Sequence, residues 1–277
     1  TVADILNLLY STKLTAWDVD VTIGRNLTAV KTIGQRILMG ELWHNVDGNF
    51  QRAVNGLAAR LLPEGELVGS PSNWVQIGIR IAFMFGIYGQ LLRNEQIRSD
   101  KPLVLAVPAG DFTIPMAAWY ARAMGLPIGT IVCGCNENGA PWDLLHRGEL
   151  NTGVLAMKTT TPESDVALPI NLERLVCATL GQEEALRYWW TCTEGESYIP
   201  PEANIEELRK GMFAAVVSQD RVATIIPSVY RTNRYVLDPY TALAYGALSD
   251  HRARTGSGGT ALIWMEKSPI CSAATVS

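Results

Sequence analysis

Leu103-Val-Leu-Ala-Val-Pro-Ala-Gly-Asp-Phe-Thr-Ile-Pro115, continued by Met116 to Gly125, decides the reading of this chain. The apolar run Leu103 to Val107, bounded by Pro102 and Pro108, predicts a buried parallel strand. The turn Ala109-Gly-Asp-Phe-Thr113 follows. Pro115 then opens a helix, where a missing N–H costs nothing, and Gly125 closes it. In open α/β sheets a ligand sits at the carboxyl ends of such strands. The helix N-terminus offers N–H groups and partial positive charge to an anion.

Outward from this stretch the same grammar repeats. Ile128 to Cys135 predicts the next parallel strand, ending in Asn136-Glu-Asn138, and Ala261 to Met265 a last buried strand that delivers Glu266 and Lys267 to the sheet edge carrying Asp111. Asp238-Pro-Tyr240 is a helix start, with Asp as N-cap and Pro at the first position, for a helix to about Arg254. Asn171 is expected to cap Leu172 to Leu180, and Ala140 to Arg147 is a short helix. Glu183 to Thr191 and Ile205 to Val217 read as further helices, while Val222 to Val229 has β-branched character. A subdomain or insertion over about 180–235 fits this spacing within one 1–277 unit. Upstream, Val2 to Leu9 is an amphipathic helix that either packs on the domain or docks a partner. Leu27 to Ile37 is expected to be helical, Leu42 to Val46 a strand, and Asn49 the cap of a helix to Leu62. Trp74 to Leu92 is nearly all apolar, but Arg80 near its centre and its glycines predict a buried core helix rather than a membrane span.

Several of these pieces, in this order, resemble threonine synthase, a fold-type II pyridoxal-phosphate (PLP) enzyme. Val107-Pro-Ala-Gly-Asp-Phe112 and Tyr120 to Pro127 resemble its V-P-[ST]-G-N-F-G turn and A-K-x-x-G-L-P helix end. Val46-Asp-Gly-Asn-Phe50 resembles D-G-x-F, Ser70-Pro-Ser-Asn-Trp74 resembles N-S-x-N-S-I-N, and Cys135-Asn-Glu-Asn138 resembles T-N-x-N-D. Thr161 to Asp165 with Leu168 to Leu175 resembles S-x-A-M-D-[IV] and N-x-x-R-[LV]. Leu237 to Tyr245 resembles D-P-H-T-A-V-A-Y, with Tyr240 in place of His. The resemblance runs from roughly 32 to 269. It implies a three-layer α/β fold, a parallel sheet flanked by helices, related to the large domain of fold-type II PLP enzymes.

The departures carry as much information. The family's cofactor lysine sits in F-x-G-P-x-x-x-F-K-D, upstream of every segment matched here, and the six lysines of this chain (Lys13, Lys31, Lys101, Lys158, Lys210 and Lys267) lack that context. The phosphate turn has lost a hydroxyl, its second glycine is Thr113, and its neutral amide is Asp111, a carboxylate that repels a phosphate dianion. The T-A-H-P-x-K-F segment, whose Thr faces the pyridine nitrogen, reads Glu266-Lys-Ser-Pro-Ile-Cys271. The expectation is a chain that does not itself use PLP, a cofactor-free enzyme subunit. A second protein would supply the missing lobe, and the bound partner would be a small molecule. Gly110, Phe112, Thr113, Asn136, Asn138, Ser72 and Asn73 would line a substrate cleft, Ser72 and Asn73 serving equally well as plain helix caps. In the family an Arg follows the S-I-N motif by three; Gln76 stands there here, and Arg80, one turn on, would substitute. Asp111 and Glu266 would be the catalytic pair, dividing the roles of acid and base in a partly desolvated crevice. Their structural alternatives are a helix cap and a solvated turn residue. Loss of a phosphate or sulfate from a small amino-containing substrate, by elimination or by closure of a strained nitrogen ring such as an aziridine, is the reaction this set suits, in secondary metabolism. A non-catalytic partner protein, or a split PLP enzyme with the lysine in trans, are the competing readings.

Composition narrows the classes. With 48% apolar and 18% charged residues, net charge −4 and no basic patch, the chain of 277 residues reads as a globular protein that does not bind nucleic acid. Five cysteines without a C-x-x-C pattern read as reduced core residues, and Asp4 with no basic start argues against a signal peptide, so a cytoplasmic location is expected. His44, His146 and His251 show no metal spacing.

Overall fold

The computed structural model describes residues 37–41, 74–258, 260–265, 267 and 269–272. The expected helices over 2–9 and 50–62 and the strand over 42–46 lie outside them, as do Ser72, Asn73 and Glu266; so does the helix expected over 27–37 except for its last residue, Ile37, which opens a strand instead. Five parallel strands form one sheet in the order β1-β5-β2-β3-β4: β1 Ile37–Glu41, β2 Leu103–Pro108, β3 Ile128–Cys135, β4 Met212–Val216 and β5 Ala261–Met265. Among the described residues the helices are α1 Trp74–Arg93, α2 Thr113–Ala123, α3 Ala140–Trp142, α4 Leu172–Leu180, α5 Gln182–Glu194, α6 Ile205–Arg209, α7 Gln219–Asn233 and α8 Pro239–Thr255. A π-turn, Asp143–Arg147, continues α3.

Alternation along each strand splits the core into two layers. Leu105, Val107, Ile131, Cys133, Leu262 and Trp264 face one side, packed with residues of α1, α2 and α4. Ala106, Val132, Ala215, Ile263 and Met265 face the other, packed with α7 and α8. This is the three-layer α/β arrangement expected. The α8 side uses the smaller residues, so that helix rides close to the sheet. No described helix is long and apolar enough to cross a membrane, and α1, the candidate span, buries Ile77, Ile81, Met84 and Leu91 in the core.

Two expectations are corrected between 205 and 233. The helix expected through Val217 ends at Arg209; Gly211, at φ +67°, turns the chain, and Met212–Val216 becomes the edge strand β4. The β-branched stretch Val222 to Val229 lies inside helix α7, where Val222, Ile226 and Val229 share a buried stripe at helical spacing and Ser218 accepts from the Arg221 amide. The 180–235 stretch therefore contributes β4 to the central sheet as well as helices around it. Asn171 precedes α4 as expected but does not cap it, because its Oδ1 accepts from Arg174 Nε at 3.0 Å instead of from a backbone amide. Cys133 and Cys135 are buried core thiols, whereas Cys177 is exposed and Cys192 half-buried.

Asp238 does cap α8, accepting from the amides of Tyr240 at 2.9 Å and Thr241 at 3.2 Å and from the Thr241 hydroxyl. Burial pushes its carboxyl up to about 6, while the bonds from Thr241 and Tyr240 and the Lys267 charge pull the other way. A carboxyl that holds its proton more tightly folded than unfolded favours the fold at low pH. Its contribution therefore declines as pH rises from the ordinary value of 3.8 to about 6. We expect Asp238→Asn to remove that decline. Denaturation followed across pH 4 to 7 should give a wild-type minus variant difference that becomes less favourable to wild type with rising pH; a flat difference would refute it.

Candidate functional site

Three strand ends and two loops meet at the carboxyl edge of the sheet. Beyond β2 the chain turns through Gly110, at φ +46°, and Phe112, at φ +69°. A left-handed phenylalanine is strained by about 1 kcal/mol or more, and it is held because its ring is fully buried in the core. Phe112 therefore anchors the turn with its side chain and can offer a ligand only backbone. The turn is tied on both flanks: the Ala109 amide donates to Gly134 O at 2.8 Å and the Phe112 amide to Ala109 O at 2.8 Å. Asp111 accepts from the Thr113 amide at 2.9 Å, so its carboxylate stands over the start of α2, and the Asp111 carbonyl accepts from the Asn171 amide at 3.1 Å. The Thr113 hydroxyl is buried and accepts from Asn171 Nδ2 at 2.8 Å. Asn171 Nδ2 thus clamps the turn, while its Oδ1 accepts from Arg174 Nε on α4 at 3.0 Å.

At the end of β3, Asn136 is buried. Its Nδ2 lies 2.8 Å from Asp165 Oδ1 and 3.0 Å from the hydroxyl oxygens of both Thr159 and Thr161. Its Oδ1 accepts from the Asn138 amide at 2.9 Å. Asn138 clasps the same loop, donating to Met157 O at 2.9 Å and accepting from the Met157 amide at 2.7 Å. Asp165 completes the knot by accepting from the Thr159 amide at 2.8 Å and the Thr159 hydroxyl at 2.6 Å. A Cβ on Gly110 would meet Ser164 Oγ at 3.6 Å, which places the β2 turn directly against this loop.

Beyond β5, the Lys267 ammonium lies 4.3 Å from the Tyr240 ring centroid and pairs with Glu163, whose amide donates to the Tyr240 hydroxyl at 3.3 Å. Burial pulls the Lys267 ammonium down, but Glu163 and Tyr240 outweigh it and hold the group above the usual lysine value. Of the residues expected at a cleft, Gly110, Asp111, Phe112, Thr113, Asn136 and Asn138 come together at this edge. Arg80 is buried in α1, where its guanidinium donates to the carbonyl and side chain of Gln76 at 3.0 and 2.9 Å. Thr159, Thr161, Asp165, Asn171, Glu163 and Lys267 were not among the expected site residues. Their signal was the polar run 159–165 and the asparagine before α4.

The fold raises the question of PLP, on which the β2 turn bears. A carboxylate already occupies the amide at the helix start and would oppose a phosphate dianion there. Of the described lysines, Lys101 and Lys210 precede β2 and β4, at the opposite edge, Lys158 is exposed on the loop that carries Thr159, and Lys267 is committed to Glu163. The described residues of the β2 turn do not fit the cofactor's phosphate. Among the described residues there is also no cluster of three metal-ligating side chains.

No protein-family model matches the chain. Human threonine synthase-like 1 is 28% identical over 176 residues, 62% of this chain and 24% of that protein. Pseudomonas aeruginosa threonine synthase is 26% identical over 251 residues, 85% of this chain and 52% of that enzyme. The chain therefore spans about half or less of the length of these curated relatives. The structure of PLP-bound threonine synthase from Brucella melitensis superposes with a TM-score of 0.67 at 22% identity, over 83% of this chain and 49% of that one. Yeast threonine synthase gives 0.65 at 23% identity, over 74% and 43%. In sequence and in fold, this chain is similar to threonine synthases over part of their length.

Proposed function

We propose that this chain is one subunit of a cofactor-free enzyme that expels phosphate or sulfate from a small amino-containing substrate, with a second protein completing the cleft. The observation that carries the reading is Asp111, a carboxylate fixed at the edge of the sheet by the Thr113 amide and by the Asn171 clamp on its own carbonyl. Such a group takes a proton from the substrate ammonium. The freed nitrogen lone pair then forms a C–N bond as the C–O bond to the leaving oxyanion breaks. No electrons are gained or lost, and a three-membered nitrogen ring is the product when the two carbons are adjacent. General-base assistance of this kind is worth about 100-fold or more in rate. Glu266, immediately beyond β5, would be the second carboxylate of the site. Exposed apolar residues on α5, Leu186, Trp189 and Trp190, support a protein partner.

The expected result is that Asp111→Asn lowers turnover at least about tenfold in the reconstituted complex. Asparagine keeps an acceptor for the Thr113 amide, so the fold and partner binding, checked by circular dichroism and native mass spectrometry, should persist. Unchanged turnover would remove Asp111 from the mechanism and favour a chain that only stabilises its partner.

A further inference from the structure

We propose that Lys267 is the binding site for the leaving oxyanion and that Glu163 is a displaceable stand-in for it. The inference rests on the phosphate- or sulfate-expelling reading above and assigns the second half of that site. The Lys267 side chain is only 15% exposed, whereas that of Glu163 is 69% exposed. The cation is built into the protein, against the Tyr240 ring, and its counterion hangs on a solvent-facing turn, Pro162–Ser164. A largely buried ammonium needs an anion, and nothing requires that anion to be a protein group. A tetrahedral oxyanion from solution would take the Glu163 position as that side chain swings into water.

The sheet supplies the geometry. β5 is hydrogen-bonded directly to β2, so Lys267 and Asp111 leave adjacent parallel strands, which lie about 5 Å apart. The Asp111 carboxylate on the β2 turn repels an oxyanion, while the Lys267 ammonium beyond β5 attracts one once Glu163 has moved aside. A substrate with an ammonium at one end and a sulfate or phosphate ester a few atoms away is thereby oriented, its nitrogen toward Asp111 and its leaving group toward Lys267. The same ammonium would neutralise charge developing on the departing oxygen.

Inorganic sulfate and inorganic phosphate, titrated separately into the full chain by calorimetry at low ionic strength, test this, with acetate as a control. Glu163→Gln removes the competitor and should tighten binding of either tetrahedral anion by about fivefold. Lys267→Met keeps the aliphatic stem over Tyr240 and should weaken binding by about tenfold or more, and Lys267→Arg should restore most of it. The anion bound more tightly names the leaving group. Glu163→Gln binding neither anion, or Lys267→Met binding both like wild type, would overturn the assignment. Should Lys267→Met not fold, the Glu163→Gln titration decides alone. Anion binding that follows this pattern while Asp111→Asn turns over normally would keep the site and discard the reaction.

Discussion

Gly134→Ala is expected to cost about 3 kcal/mol or more of stability, because a Cβ there would overlap backbone rather than side chain. It would stand 2.4 Å from both the carbonyl carbon and oxygen of Leu243 and 2.7 Å from the Ala244 nitrogen, all in α8. A flexible side-chain tip would rotate away, but a helix backbone can only move as a body. The helix is pinned on its other contacts too: a Cβ on Gly246 would meet Val217 methyl carbons at 2.8 and 2.9 Å, and Ala242, Leu243 and Ala247 are fully buried. Pushing α8 outward shifts its first turn, where Asp238 caps and Tyr240 meets Lys267, so the edge of the sheet is disturbed from a distance. Gly86→Ala is the matched control. Gly86 lies in α1 with nothing within 4 Å of the new Cβ, so the same chemical change should stabilise by about 0.5–1 kcal/mol through helix propensity. Chemical denaturation of the two variants should therefore move in opposite directions. A Gly134→Ala midpoint equal to wild type would mean that α8 does not lie on the sheet as described.

The sheet was legible where sequence and fold use the same local rule. β3 and β5 begin and end where their apolar runs do, β2 runs one residue on into Pro108, and α8 starts at its Asp-Pro signal. β4 was misread because Met212-Phe-Ala-Ala-Val216 is short and carries two alanines, so its apolar run extends the periodicity of α6 as readily as it makes a strand. What separates them is Gly211, and its left-handed conformation is set by packing: Arg122 donates to Gly211 O at 2.8 Å. The β2 turn was legible from Gly110, Asp111 and their neighbours. The clamp that holds it was not, since Asn171 reaches 58 residues back to Thr113 and Asn136 reaches 29 residues forward to Asp165. An asparagine before a helix reads as a cap, yet here Arg174 takes its oxygen and the distant Thr113 its amide nitrogen, and only the fold reveals both. The sequence placed Lys267 at this edge but not its pairing, which is defined by Tyr240 and Glu163 rather than by its own neighbours.

Asp165→Ala should be the most damaging change in the loops of the site, costing about 3 kcal/mol or more. One half-buried carboxylate there accepts from the Thr159 amide, the Thr159 hydroxyl, Asn136 Nδ2 and Asn138 Nδ2, the last at 3.3 Å. Removing it takes an acceptor from four donors: Asn136 Nδ2 keeps the Thr159 and Thr161 hydroxyl oxygens and Asn138 Nδ2 keeps Met157 O, but the Thr159 amide loses the carboxylate that satisfies it. Asn136 is too buried to turn to water; the Thr159 amide is fixed by the loop backbone. The cost of orphaned donors exceeds the net worth of the bonds, because desolvation is no longer offset. Asp165→Asn should fall between wild type and Ala: one oxygen still accepts, but an NH2 would confront at least one of the same donors. Hydrogen exchange distinguishes a local from a global failure. If the knot only shapes the site, amides at Met157, Thr159 and Asn138 lose protection while those of β2 and β3 keep it. If it also holds the sheet edge, the Ala109 amide, bonded to Gly134 O, will be lost with them. A destabilisation below about 0.5 kcal/mol, within the ordinary range of surface changes, would show that the network contributes little and that the loop is held by Asn138 and Met157 alone.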